Sequence, residues 1–410
     1  MFLGTDRAMT PPGSSSVRRP PAQPVDLVCL SHLRWNFVFQ RPQHLMTAGA
    51  RDRKVLFFEE PVRADGPPRV VEEHDGGVTL ATPQLPADLP RGAEPAVLRA
   101  LLDRQLDRSG ISRYILWYYT PMARVFSRHL RPAATVYDCM DELSAFAHAP
   151  RDLRELEAEL LEAADLVFTG GQSLYEAKQH LHPSVHAFPS SVDVRHFAQA
   201  RTPQPDPSDQ VTIPRPRLGF FGVIDERLDR DLLDGVAAAR PSWQLVMVGP
   251  IAKIERSRLP ARANIHYLGR KSYEELPAYL AGWDVALLPF ARNDATRYIS
   301  PTKTPEYLAA GKPVVSTSIR DVMRPYGQVG LVRIADRVED FIAAVEAALA
   351  EPPSTRPDAV DTFLRSMSWE RTWQRMLQLV GSAVEARLRR APSAPAIDRS
   401  AGPTALRPSL

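Results

Sequence analysis

The sequence predicts an α/β protein built from two parallel-sheet domains, and three observations carry that prediction. Short, continuously apolar runs alternate with amphipathic stretches along most of the chain. Strands covered on both faces by helices read this way. The alternation breaks once, at ARTPQPDPSDQVTIPRP (200–216), which is dense in Pro, Asp and Thr and has no periodicity, as an interdomain linker should. The length of 410 residues exceeds one ordinary core, and two domains of about 150–200 residues are its natural division.

Residues 1–23 and 391–410 are rich in Pro, Ser, Ala and Arg without periodicity and are expected to be disordered tails. From 24 to 199 the expected strands are VDLVCL (25–30), KVLFFEE (54–60), YILWYY (114–119), ATVYDCM (134–140) and DLVFTG (165–170), with helices around 41–50, 94–108, 151–163 and 173–181. From 217 to 366 they are RLGFFGVI (217–224), QLVMVGP (244–250), NIHYLG (264–269), DVALLPF (284–290), KPVVST (312–317) and GLVRIA (330–335). SYEELPAYLAGW (272–283) and about 337–350 are the clearest helices between them. A last helical stretch spans 367–390. In open α/β sheets ligands bind beyond the carboxyl ends of the strands, so the chemistry belongs in the loops that follow strands, in a cleft between the domains.

Composition narrows the class. A hydrophobic content of 44% with 24% charged residues is that of a soluble globular protein. A net charge of +3, from 51 basic and 48 acidic residues, carries no nucleic-acid signal. Cys29 and Cys139 each lie in an apolar run and read as buried, reduced thiols. No apolar run reaches the roughly 18–20 residues that span a bilayer, and the N-terminus lacks the apolar block of a signal peptide. The expected compartment is the cytoplasm.

The stretch ISPTKTPEYLAAGKPVVST (299–317) concentrates the chemistry. Ser300 reads as an N-cap, Pro301 as the first helical residue and Gly311 as the stop, giving a helix over 301–310. Pro305 removes an N–H that would reach back to Pro301, a loss confined to the helix start. Free N–H groups at 302–304, the positive dipole end and Lys303 together form an anion site. Glu306, one turn further in, can accept hydrogen bonds from hydroxyls beside a bound phosphate. The plain alternative is a capped helix with a solvated Lys–Glu pair.

This stretch resembles the donor-binding segment of two-domain, GT-B-type retaining glycosyltransferases, the group often called family 4. The resemblance places the donor diphosphate on Ser300, Thr302 and Lys303 and the ribose hydroxyls on Glu306. FPSSVDVRHF (188–197) is similar to the Pro-Asn-Gly-Val-Asp…Phe signature that closes the N-terminal domain, with Ser190 and Ser191 replacing Asn-Gly. FFGVIDERLDRDLL (220–233) resembles the first strand and turn of the donor domain; Gly222-Val223 stands where Gly-Arg is usual, leaving Arg227 as the cation. Gly249 in VGP and Gly269 in YLGR fall where relatives bring backbone close to the nucleotide. SWERTWQRML (368–377) resembles the terminal helix that crosses back to the first domain. The resemblance covers about residues 25–380. Many members carry a sugar-contacting Glu eight positions before the ribose-binding one; here that position is Tyr298, and Asp294 in the same loop is the nearest carboxylate.

The N-terminal half adds RWNFVFQRPQHL (34–45), VLFFEEP (55–61) and VYDCMDELSAF (136–146), which resemble bacterial cell-surface polysaccharide glycosyltransferases of the teichuronic-acid type. Arg34, Trp35, Gln40, Arg41 and His44 follow the first strand and are expected to line the acceptor pocket. The alternative is a helix entry with Trp35 and Phe37 in the core. Asp138 and Asp141 end another strand, and Asp141 is the candidate site carboxylate. Asp229 and Asp231 read as helix-start residues and not as a metal pair. The ten His show no ligand spacing, and GxGxxG is absent.

The resemblance implies a nucleotide-sugar-dependent transferase that acts with retention on a glycan or lipid-linked acceptor in cell-surface polysaccharide biosynthesis. Arg227, Lys303 and Asp141 would be its catalytic groups, with no cofactor, metal or nucleic-acid partner. Peripheral contact with the inner face of the cytoplasmic membrane is compatible with it. A nucleotide-sugar epimerase on the same fold, or a non-catalytic nucleotide-sugar-binding protein, stays open at this point.

Overall fold

Three main apolar clusters, one around the second sheet and one on each face of the first, organise the chain in the computed structural model, which describes residues 25–146, 149–352 and 357–390. The expected tails lie outside the described residues. The first sheet contains β1 (Asp26–Leu30), β2 (Val55–Phe58), β3 (Val62–Arg63), β4 (Arg69–Asp75), β5 (Val78–Leu85), β6 (Tyr114–Tyr118), β7 (Ala134–Cys139), β8 (Leu166–Thr169) and β9 (Val185–Ala187). Their order is β3-β5-β2-β1-β6-β7-β8-β9, every neighbouring pair parallel, with β4 antiparallel on β5. The second sheet contains β10 (Arg217–Phe221), β11 (Gln244–Val248), β12 (Ile265–Gly269), β13 (Val285–Leu288), β14 (Val314–Ser316) and β15 (Val332–Ile334). It is wholly parallel, in the order β12-β11-β10-β13-β14-β15.

Each strand predicted from a continuous apolar run is present, because helices cover both faces of both sheets. The β4–β5 hairpin and the short β3 and β9 are additions that the apolar-run criterion passes over. β4, RVVEEHD, is mostly exposed and carries charge instead of an apolar run. Free Cys29 and Cys139 are both buried in β1 and β7.

Strand order reverses between β1 and β6 in the first sheet and between β10 and β13 in the second. Loops on either side of such a reversal diverge to opposite faces and leave a crevice at the carboxyl ends. The helix Trp369–Arg390 seats Trp369, Trp373, Met376 and Val380 in the core of the first sheet, beside Leu27, Phe57 and Trp117. Segment 200–216 has no strand, yet it is tied to the second domain. Buried Gln210 accepts from Trp283 Nε1 at 2.9 Å and donates to the Tyr279 carbonyl at 3.1 Å, while Arg217 pairs with Asp206 at 2.6 Å. Among the described residues no helix is long and apolar enough to cross a membrane.

Candidate active site

The crevice between β10 and β13 is shaped first by backbone. β10 runs into Gly222 (φ 138°) and β11 into Gly249 (φ 145°), a region of backbone space that side chains disfavour. A Cβ on Gly249 would stand 1.9 Å from the Gly222 carbonyl oxygen, and one on Gly222 would stand 2.1 Å from Lys303 Cε. The strand ends are therefore crossed at contact distance by the Lys303 stem. Gly269 closes β12 and accepts the Gly249 N–H at 2.8 Å.

The helix that brings Lys303 here spans Lys303–Ala309, so it begins later than the sequence suggested, with Thr302 and not Ser300 as the residue before it. The physical reason lies with Pro301 and Pro305. Thr304 N–H turns back to the Pro301 carbonyl at 3.2 Å and takes the acceptor that a non-proline at 305 would have used. Pro305 thus costs no bond, and Thr302 and Lys303, which line the crevice, have N–H groups without a backbone partner. Tyr307 pins the helix to the sheet, its hydroxyl oxygen accepting from Phe221 N–H at 2.9 Å. Buried Glu306 has an Oε2 atom without a protein partner, and the nearby Tyr273 hydroxyl is likewise unpartnered. Burial pushes the Glu306 carboxyl upward and the Lys303 ammonium downward from their ordinary values, and their mutual attraction opposes both shifts.

Residues from the N-terminal domain complete the pocket. Asp141, Ser190, Arg227, Ser300, Thr302 and Lys303 line it together. Arg227 is held by Asp225 through contacts of 2.9, 3.1 and 2.6 Å, and its guanidinium lies 5.5 Å from the Phe146 ring across the cleft. Lys253 Nζ lies 4.7 Å from the same ring. Burial raises the Asp141 carboxyl, while Arg227, Lys253 and Lys303 pull it back down. The domains also touch directly: the Ser190 hydroxyl donates to the Ser300 carbonyl at 3.4 Å, and Asp321 Oδ1 accepts from Ser173 N–H at 2.9 Å.

Several expected acceptor residues have other work. Arg41 is buried, ion-paired with Asp138 at 2.8 Å and donating to the Phe188 carbonyl at 2.7 Å. Trp35 is buried with its N–H on Glu59 and its indole nitrogen on Asp75, both at 2.7 Å. For Trp35 the core reading replaces the acceptor role, because its donors are already satisfied. The Arg41 guanidinium is likewise committed to Asp138 and Phe188, although Arg41 still lines the Lys303 pocket. Arg34 pairs with Glu59 at 2.9 Å and keeps about a third of its side chain exposed. Gln40 does reach the pocket. His44 stacks on Trp369 at 4.6 Å, away from it. Tyr298 and exposed Asp294 line a different hollow, with Glu176, Arg297 and Arg320, and are not brought to the Lys303 pocket. Asp229 caps a helix, accepting from Leu232 N–H at 2.9 Å.

Sequence reasoning missed His32, Phe146, Lys253, Asp225 and Tyr273. His32 lies in the loop after β1, at the first sheet's reversal point, with Nδ1 buried and unpartnered. Burial, with the Lys253 charge adding to it, pushes its pKa down to about 4, against the Tyr119 backbone contact. Its signal was position: it is the second residue beyond the central strand. Lys253 offered none, since an isolated lysine in a loop reads as solvated.

Residues 215–351 match the family model of the Glycosyl transferases group 1. The chain is a GT-B glycosyltransferase. The Bacillus subtilis (strain 168) protein TuaH, named for glycosyl transfer in teichuronic acid biosynthesis, is 26% identical over 292 residues, 66% of this chain and 72% of that one. Three solved structures share the fold. Sucrose-phosphate synthase from Thermosynechococcus elongatus superposes with a TM-score of 0.68 at 16% identity, over 88% of this chain and 100% of that one. Anabaena HepE, in complex with UDP and glucose, gives 0.63 at 14%, over 87% and 100%. The E. coli trehalose-6-phosphate protein bound with UDP-2-fluoro glucose gives 0.62 at 13%, over 88% and 99%. The family match of this GT-B glycosyltransferase covers the domain holding Gly222, Arg227, Lys303 and Glu306.

Proposed function

We propose that this glycosyltransferase moves a sugar from a nucleotide diphosphate sugar to a carbohydrate acceptor with retention of configuration, in cell-surface polysaccharide biosynthesis. The observation that carries the donor assignment is the crossing of Lys303 over Gly222, with Arg227 beside it and unpartnered Glu306 one turn behind. Such an arrangement meets a diphosphate with two cations and backbone N–H groups, and a ribose with a carboxylate. The UDP-bound folds above and the printed role of TuaH support the substrate class and the pathway.

The bond between the anomeric carbon and the diphosphate oxygen breaks while the acceptor oxygen bonds that carbon on the same face. The acceptor proton passes to the departing phosphate oxygen, so no side chain has to act as base. Charge grows on the diphosphate, and Lys303 and Arg227 stabilise it where it develops, which is commonly the largest catalytic term. No metal is part of this proposal. Asp141, across the pocket, positions the transferred sugar or the acceptor hydroxyl.

Glu306→Gln tests the ribose contact. It should weaken UDP binding by about 1.5–3 kcal/mol, the range for a hydrogen bond to a charged group, and leave pyrophosphate binding nearly unchanged. Equal losses in calorimetry would make Glu306 a support for the helix only. For the reaction itself, a donor panel led by UDP-sugars should give acceptor-dependent release of UDP. Acceptor-independent isomerisation of the donor would instead return the epimerase reading.

A further inference from the structure

The loops after β1, β2 and β6 enclose a second pocket, separate from the Lys303 pocket and lined wholly by the N-terminal domain. Leu30, Phe58, Leu98, Met122, Val125 and Phe126 form its walls. Leu30, Phe58 and Leu98 are core residues, whereas Met122, Val125 and Phe126 are half-buried. The Phe58 and Phe126 rings lie 6.0 Å apart. A hydrocarbon surface here is notable because it sits at the carboxyl end of the sheet, beside the β1/β6 reversal, where ligands of such sheets bind.

The charged side chains at this pocket are Glu59, Glu60 and Glu94, against Arg91 alone. Glu59 and Glu94 are already neutralised by Arg34 and Arg63. With both pairs made, Glu60 and Arg91 balance one another, so the pocket offers a phosphate no net positive charge. Exposed Glu60 marks its rim, and Lys253 of the donor domain is among the charges that act on that carboxyl.

We propose that this pocket binds the aliphatic aglycone of the acceptor, making the acceptor a glycolipid with no phosphate at its sugar linkage. The proposal rests on the transferase reading of the cleft. The sugar then lies between the pocket and the donor, beside His32, with its chain against Val125 and Phe126.

The test uses the full-length protein, with octyl β-glucoside below its micellar concentration, methyl β-glucoside and glucose 6-phosphate titrated calorimetrically, alone and with UDP. The octyl glucoside should bind at least about tenfold more tightly than the methyl glucoside, since each buried methylene adds to affinity. Val125→Asp should abolish that preference, Val125→Ser should reduce it, and both should bind UDP as the wild type does. Three results would overturn the proposal: equal affinity for the two glucosides, an octyl preference that survives in both variants, or glucose 6-phosphate binding more tightly than methyl glucoside. Absence of UDP binding in the wild type would count against the donor site instead, because the glucoside titrations without UDP read the pocket directly.

Discussion

Asp138→Ala is expected to lower the unfolding free energy of the N-terminal domain by about 3–5 kcal/mol, the cost of stranding one partner of a buried ion pair. Asp138 and Arg41 have side-chain exposures of 0% and 1%, and the Arg41 Nε–H lies 3.1 and 3.0 Å from the two carboxylate oxygens. A guanidinium does not give up its proton in a protein, so removal of Asp138 leaves a full positive charge with the Phe188 carbonyl as its main remaining partner. The asymmetry is the diagnostic part. Arg41→Met combined with Asp138→Leu removes both charges and should recover most of the loss, since well-packed apolar replacements of buried pairs are often neutral. Urea unfolding followed through the N-terminal domain's transition distinguishes the cases. If Asp138→Ala cost less than about 1 kcal/mol, water would have to reach Arg41 and the burial argument would fail.

This pair also marks where sequence reading stops. Arg41 and Asp138 stand 97 positions apart, and Phe188, the third member, stands 147 from Arg41. Nothing local to RWNFVFQRPQHL says that its second arginine is committed to an inward ion pair although it and Gln40 line the same pocket. Trp35 is a similar case, because its indole partner Asp75 sits at the end of the β4 hairpin strand. That strand was itself hidden, exposed and charged at the sheet margin, with only the Asp-Gly-Gly turn at 75–77 to announce it. The buried parallel strands were legible because their whole environment is apolar, which one-dimensional composition records directly. The proposed diphosphate cradle could be formulated from sequence for a different reason: Ser300, Thr302, Lys303 and Glu306 lie in one short stretch, and helix geometry alone orders them. Its exact start was not, since the turn bond from Thr304 to Pro301 competes with capping by Ser300.

Lys303→Met should weaken UDP binding about tenfold to 150-fold, equivalent to roughly 1.5–3 kcal/mol for a charge-assisted hydrogen bond. Methionine keeps an unbranched stem to lie over Gly222, where Cβ space is absent, so folding should survive and the loss can be read as charge alone. The pH dependence gives a second, independent signature. Burial holds the free protein's Lys303 below its ordinary value of 10.5, and a bound diphosphate would favour the ammonium and raise it again. Binding therefore takes up a proton in the window between the lowered value and 10.5. Affinity should be flat below that window and fall as pH rises through it, by at most about tenfold per unit for one linked proton. Arg227 cannot supply this slope because it stays charged throughout, and a terminal phosphate, whose last ionisation lies near about 6, has already lost its proton. Calorimetry with UDP from pH 7 to 10 in wild type and Lys303→Met should show the alkaline fall in the first and not in the second. An equal slope in both would place the titrating group elsewhere, and an unchanged affinity at pH 7 would remove Lys303 from the diphosphate.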